Sequence, residues 1–418
     1  MVRKSPTLFF LLGVSLLLSA CLPEGMKLPQ NELLAFLEPK SGLIAYIGVD
    51  GNVYTMDQGG GNQTQITTDA QAGSNGYRIY RVPTWSPDGN ALAFSMIEAD
   101  ANQNLTRNSL FTVKKDGSEL TEAYNAGDGV IYYYWAPDSE RIGVLAQTPR
   151  TLALRLVPVT GGEFQTLDTG APLYWTWSPD GDSVLIHADG ERGRLSLLQI
   201  GETISERSLG IVPAEFKAPA FAPSGEQVLV ARKNTDNKSL VLANVDGSEA
   251  RTIVDYTSDI AFGWSPNGAR IAYIESQELL GPLTVVDPAG VQAPIKLEEQ
   301  VYAFFWSPDS KSLAYFALGD LELENGQTSP VSRLKVLDVG SGRAREISIV
   351  FPTNAFFDLI PYFDQYHQSL TIWSPDSQNL VVSTFYTDDA TGIFVFNASG
   401  NLEPRYLADG EVAFWSWK

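Results

Sequence analysis

The sequence predicts an all-β fold, a single β-propeller of eight four-stranded blades. Three observations predict it. A tryptophan-led pentapeptide recurs at a nearly constant interval. Short apolar strands follow each copy in the same order. The first and last repeats are incomplete in complementary ways.

The pentapeptide reads WSPDG at Trp85, WAPDS at Trp135, WSPDG at Trp177, FAPSG at Phe221, WSPNG at Trp264, WSPDS at Trp306 and WSPDS at Trp373. With Trp415 as the last member, the starts lie 50, 42, 44, 43, 42, 67 and 42 residues apart. A period near 42 that holds four short strands is the spacing of a propeller blade. Turn chemistry explains the pentapeptide itself. Proline presets φ for a tight turn, Asp or Asn bonds nearby backbone, and glycine tolerates positive φ at the end. The motif is therefore expected to be a hairpin joint. Its tryptophan is expected on the innermost strand, filling the gap between neighbouring blades. Seven of the nine tryptophans occupy this slot, which favours packing over ligand stacking.

After Trp85 come ALAFSM, SLFTVKKDG and ELTEAY; after Trp264 come RIAYIE, PLTVVDPAG and APIKL. Second-strand segments occur eight times, from LIAYIG at Leu43 to LVVST at Leu380. The first has no tryptophan strand before it, and EVAFWSWK has no strand segments after it. Glu411–Lys418 is thus expected to supply the innermost strand of a blade whose other strands lie within 42–67. Such a pairing closes the ring and removes exposed sheet edges.

Composition agrees with a folded β protein: 44% hydrophobic and 19% charged residues, with 36 glycines. The 418 residues are read as one large repeat unit, residues 42–418, rather than as several domains. Residues 1–20 read as a lipoprotein signal peptide. Arg3 and Lys4 precede a short apolar stretch, too short to span a membrane comfortably. Leu18-Ser19-Ala20-Cys21 resembles the bacterial lipobox, which implies cleavage before Cys21 and a lipid thioether on it. Cys21 is the only cysteine, so no intramolecular disulfide forms. Residues 21–41 are then a tether, and the protein is expected outside the cytoplasm, anchored by its lipid.

The formal charge is −20. Loss of Arg3 and Lys4 leaves 27 basic against 49 acidic residues, a charge of −22. That field repels phosphate backbones and anionic lipid, so nucleic acid is not an expected partner.

The repeat resembles the TolB-like β-propeller family, in which a W-S-P-D-G turn precedes an I-A-F type strand and an I-Y-V-M-D type strand. NVYTMDQGGGNQTQIT (Asn52–Thr67) is the nearest match to the latter half. The resemblance spans almost the whole mature chain. It implies the propeller fold and transfers no catalytic motif.

Catalytic chemistry finds little support in the residue types. There is no G-x-S-x-G elbow. The two histidines are His187, within the strand segment VLIHA, and His367, in a long connection. His187 is expected to be packed and His367 solvated. Zinc needs more His or Cys than the chain offers. Asp100–Asn104 has alternating oxygen side chains but lacks the glycine and terminal glutamate of a calcium loop. No cofactor and no metal are expected.

Loop lengths point to a binding face. In a propeller, first-to-second and third-to-fourth turns share one face, and here they are short. Length variation falls on the other face, in EADANQNLTRN, in Ala317–Ser332 and in Val350–Ser369. Long connections on a rigid scaffold are where binding concentrates. The last of them carries Phe351, Phe356, Phe357, Tyr362, Phe363, Tyr366 and His367. These are the first candidates for partner binding if exposed; the alternative is that the segment folds down and caps the channel. Tyr77, Arg78, Tyr80, Arg81 and Tyr132, expected on inter-blade connections, come second. The reading is a non-enzymatic, lipid-anchored binding or scaffold module for envelope proteins or glycans. The rival is a hydrolase or other enzyme acting on saccharides or peptides, with carboxylates at the channel mouth.

Overall fold

The computed structural model describes residues 27–29 and 38–418, apart from 74, 190–192, 215–216, 277–278 and 323–325. The expected signal peptide and Cys21 lie outside the described residues.

The chain is nearly all β, about 55% strand and 4% helix. Four four-stranded antiparallel sheets follow one another in chain order. They run from Gly76–Trp85 to Thr121–Tyr124, Gly129–Trp135 to Gln165–Gly170, Leu173–Trp177 to Ser205–Ser208, and Ala220–Phe221 to Arg251–Tyr256. A seven-stranded sheet then spans Asp259–Trp264 to Arg343–Val350. It is long because Ile295–Trp306 serves two units: its first part pairs with Gly281–Val286, its second with Ser312–Glu322. Arg405–Trp415 behaves in the same way. Residues 405–409 pair with Thr391–Asn397, and residues 410–415 pair with Ile44–Gly48, placing Trp415 opposite Ile44 and Val412 opposite Ile47. Val53–Met56 and Thr64–Gln65 complete that sheet.

Second strands such as Ile44–Gly48 and Ser183–Ala188 are buried at every residue. Their mostly apolar runs follow from packing on both sheet faces, and the polar His187 within one of them bonds to Lys217 O.

Every pentapeptide is a turn. The fifth residue (Gly89, Ser139, Gly181, Gly225, Gly268, Ser310 or Ser377) has φ between 61° and 76°. Its N–H donates to the carbonyl of the second residue at 2.8–3.1 Å. The serine at the second position adds an interaction that Pro, Asp and Gly alone do not supply. Ser374, fully buried, donates to Asp376 Oδ1 at 2.6 Å and accepts from the Asn379 N–H at 2.9 Å. Ser86, Ser178, Ser265 and Ser307 repeat this arrangement. Where the fifth residue is serine, its hydroxyl accepts from the preceding unit: the Asp88 N–H reaches Ser139 Oγ at 3.1 Å and the Asp309 N–H reaches Ser377 Oγ at 3.1 Å.

An equivalent of this joint is assembled from sequence-distant residues. Ser416 N–H donates to Leu43 O at 2.8 Å, and the Leu43 N–H donates to Ser416 Oγ at 2.9 Å. Ser41 Oγ accepts the Asp376 N–H at 3.1 Å, as Ser377 does for Asp309. The motif tryptophans link neighbouring sheets through their indole N–H. Trp135 donates to Thr84 O, Trp177 to Tyr134 O, Trp373 to Phe305 O and Trp85 to Phe414 O, in each case the residue just before the neighbour's tryptophan. Trp264 and Trp306 are less buried and make no such bond among the described residues; Phe221 is likewise half-buried.

Three expectations about connections change. EADANQNLTRN is mostly ladder: Ala91–Asp100 and Leu105–Lys114 extend the hairpin to a tight turn. Ala317–Ser332 is also ladder, paired out to Glu322 opposite Thr328. Tyr77, Arg78, Tyr80, Arg81 and Tyr132 sit within first strands, Gly76–Trp85 and Gly129–Trp135, not on connections. Backbone pairing in each case carries the strand past the point where turn-forming residues suggested an end.

Candidate functional site

The segment after Val350 is helical. Asn354–Phe357 forms one turn capped by Thr353, Ile360–Tyr362 a 3₁₀ turn, and Phe363–Ser369 a second helix. It lies across the first strands of many sheets. Thr353 donates to Glu411 O. Asp358 pairs with Arg81 at 3.2 Å. The Tyr132 hydroxyl donates to Gln365 O at 3.2 Å, and Gln365 donates to Trp175 O at 2.9 Å. Asp364 Oδ2 accepts the Ala218 N–H at 2.8 Å, and Gln368 donates to Pro219 O at 3.1 Å. His367 Nε2 lies 3.0 Å from Phe262 O. Phe363 packs edge-on against Phe304 and Phe305, with ring centroids at 5.2 and 5.7 Å.

This segment is therefore a plug over the centre of the sheets, and it divides the candidate aromatics. Phe356 and Phe363 are 4% and 6% exposed, so neither is available to a partner. Tyr366 packs edge-on against Tyr132 at 5.0 Å, and His367 lies between Phe304 and Phe363 instead of in solvent. Phe351, Phe357 and Tyr362 are exposed. Phe351 lines a separate open cavity of about 600 Å³ between the end of Arg343–Val350 and the Asn379–Phe385 sheet, beside Tyr386 and Phe394. Tyr80 is buried and donates to Asp69, and Arg78 pairs with Asp69 and Glu98. His187 is buried as expected, with Nδ1 2.9 Å from Lys217 O.

Beside the plug lies a cavity of about 410 Å³. Its floor is Tyr132 and Tyr133 on one first strand and Leu173 and Tyr174 on the next; Asp358, Tyr362 and Tyr366 wall it from the plug. Arg81 and Val82 form the third side. The strand is irregular there, with a register shift between Arg81 and Thr84 and Val82 at φ 47°. A β-branched residue rarely adopts that conformation, and a bulge of this kind re-aims neighbouring side chains. The Tyr133 hydroxyl accepts the Ser95 N–H at 3.0 Å and reaches the carbonyls of Arg81 and Val82 at 2.9 and 2.5 Å. The sequence reading found Arg81, Tyr132, Tyr362 and Tyr366; it missed Val82, Tyr133, Tyr174 and Gln365.

On the opposite side of the plug, Lys217 Nζ lies 2.7 Å from Asp259, next to buried Asp364. Burial pushes the Asp364 carboxyl up, with Lys217 and the Ala218 N–H opposing and Asp259 adding to the rise. The space there is about 20 Å³, room for one water. Among the described residues, no group of three or more His, Cys, Asp or Glu is arranged to hold a metal ion. Asp100 instead accepts the N–H groups of Asn102 and Asn104.

His367 makes the plug sensitive to pH. Burial pulls its pKa down to about 4, against the bond to Phe262 O. Between about 6.5 and 4 the unfolded chain holds a proton that the folded chain lacks, so stability falls as pH drops through this window. The loss reaches roughly 3 kcal/mol at the acid end. Urea midpoints at pH 7 and pH 4.5 should differ less for His367→Gln than for the parent. Equal differences would mean that the imidazole is not held neutral by the plug.

No family model matches the chain. The uncharacterized protein Atu1656 of Agrobacterium fabrum is 22% identical over 262 residues, 57% of this chain and 84% of that protein. Among solved structures, dihydro-heme d1 dehydrogenase NirN aligns over 95% of this chain and 78% of its own, with TM-score 0.54 and 11% identity. Oligogalacturonate lyase from Vibrio parahaemolyticus aligns over 86% and 98%, with TM-score 0.51 and 14% identity. TolB from Acinetobacter baumannii aligns over 83% and 86%, with TM-score 0.39 and 12% identity. The lyase is a propeller, and at these identities the likeness concerns fold: this chain has a propeller-like arrangement of four-stranded sheets. It assigns no activity.

Proposed function

We propose that this protein is a non-enzymatic binding module of the bacterial envelope, built as a closed ring of eight blades and anchored by lipid at Cys21. The pairing of Arg405–Trp415 with Ile44–Gly48 supports the ring and the count. The observation that carries the function is the 410 Å³ cavity between the plug and three first strands. Its size and mixed lining are those of a site for a small ligand or a partner's side chain. Exposed Ile131 and Tyr362 lie on its rim and extend the contact area.

Orientation supports the reading. Leu28 bridges to Leu402, and Glu38 pairs with Arg405, both along the side of the short turns. Cys21 is seven residues from Leu28, a reach of about 25 Å at most, so a lipid on Cys21 lies near that side. The cavity then faces away from the membrane, towards envelope proteins or glycans. The enzymatic rival draws on Asp259, Asp364 and Lys217, but the 20 Å³ beside them admits no saccharide or peptide.

The test is capture from native envelopes. Ile131→Asp with Tyr362→Ser should lose the partner retained by the parent while melting within about 2–4 °C of it, since both sites are exposed. Cys21→Ser should release the protein from membranes. Unchanged capture by the double variant would remove the cavity face from the reading.

A further inference from the structure

We infer that the cavity takes a carboxylate carried on an apolar body, with Arg81 as its seat and Asp358 as the resident group it displaces. The inference rests on the binding reading above and narrows its ligand.

Arg81 is the one cationic side chain among the described residues that line the cavity. Its backbone is fixed by the bulge, and the tyrosine hydroxyl beneath holds its carbonyl. A guanidinium projecting from this fixed backbone can grip a planar carboxylate with two parallel N–H donors. In the free protein Asp358 occupies that place. It is the cap residue just after a one-turn helix, and its side chain is 62% exposed. An ion pair this exposed is worth a factor of about five at most, so an incoming carboxylate displaces it at small cost and leaves Asp358 in water.

The reverse choice, a cation seated on Asp358, is disfavoured by geometry. It would need Asp358, the more exposed of the two side chains, to stay and Arg81, on the fixed strand backbone, to leave. The net charge of −20 opposes any anion at long range. That field is screened beyond about 8 Å at physiological salt, so the local contact decides.

The remaining lining sets the body of the ligand. Ile97, Val130, Leu145, Leu152 and Leu173 supply apolar surface. Several of the polar groups are engaged within the protein. The Tyr132 hydroxyl donates to Gln365 O, the Gln365 amide to Trp175 O, and the Gln147 amide to Thr148 O. A neutral saccharide would bury many hydroxyls with few partners to meet them, at a cost for each unmet group. A ligand with one carboxylate and an apolar remainder matches both parts. A small apolar acid and the carboxyl terminus of a peptide ending in an apolar residue share this chemistry.

Isothermal titration calorimetry on the full chain tests it, with 3-phenylpropionate against its primary amide and acetyl-Gly-Gly-Phe with a free against an amidated terminus. The acids should bind at least tenfold tighter than the amides. Arg81→Gln should erase the difference, and Asp358→Asn should tighten the acids about threefold without changing the amides. The tighter of the two acids identifies the source. Acid and amide binding equally, or a preference that survives Arg81→Gln, overturns the inference. If equal binding is abolished by Ile131→Trp at the exposed rim, the cavity remains a binding site and only the carboxylate is wrong. If no probe binds the parent, the cavity reading falls with it.

Discussion

Deleting Glu411–Lys418 is expected to abolish the cooperative folded state. The deletion removes the residues that pair with Ile44–Ile47, and with them Phe414 and Trp415, each 1% exposed. It also removes Ser416 and its two bonds to Leu43, the indole bond from Trp415 to Ser41 O at 2.7 Å, and the carbonyl that receives Trp85. Truncating one large buried aromatic costs about 3–5 kcal/mol, and two together are comparable to a typical folding free energy of about 5–15 kcal/mol. Two sheet edges are left unpaired in addition, so aggregation should accompany the loss. Circular dichroism melting and size-exclusion chromatography read both effects. A truncated chain that melts like the parent would show that this strand does not join the two ends of the fold.

Phe363→Ala is expected to undock the plug. Phe363 is 6% exposed and touches Phe304, Phe305 and His367, so its loss should cost about 3–5 kcal/mol. Hydrogen exchange over residues 354–369 should accelerate by about a hundredfold or more, because the segment opens before the sheets do. Phe357→Ser and Tyr362→Ser, at 43% and 53% exposure, should change stability by about 0.5 kcal/mol or less. A variant that combined Phe356 with these two would confound the readings, since Phe356 is buried. Unaltered exchange in Phe363→Ala would mean that the segment is not held by its aromatic face.

The repeated joint was legible because turn chemistry is local. Proline, aspartate and a residue tolerant of positive φ set the turn within five positions. The serine that completes it was also visible, present at Ser86, Ser178, Ser265, Ser307 and Ser374, yet its buried hydroxyl bridges residues five apart and is recognised only with the turn in hand. Loop lengths were less legible. Asp100 and Glu322 lie in ladders because their strands find partners, which residue preferences near a turn do not report.

Sequence by itself determined the all-β class, the repeat period, the joints, and the complementarity of Glu411–Lys418 with residues 42–67. Each follows from patterns of a few residues or from a fixed interval. Only tertiary structure decided which aromatics of the plug are buried. Phe356 and Phe357 are chain neighbours of identical chemistry, and the one-turn helix sends the first into the core and the second into solvent. Tertiary structure also decided that Arg81 meets Asp358, 277 residues away, across a cavity lined from three first strands and the plug. Such a site belongs to no local segment: it exists where rigid elements leave space between them, and that space depends on how the whole chain packs.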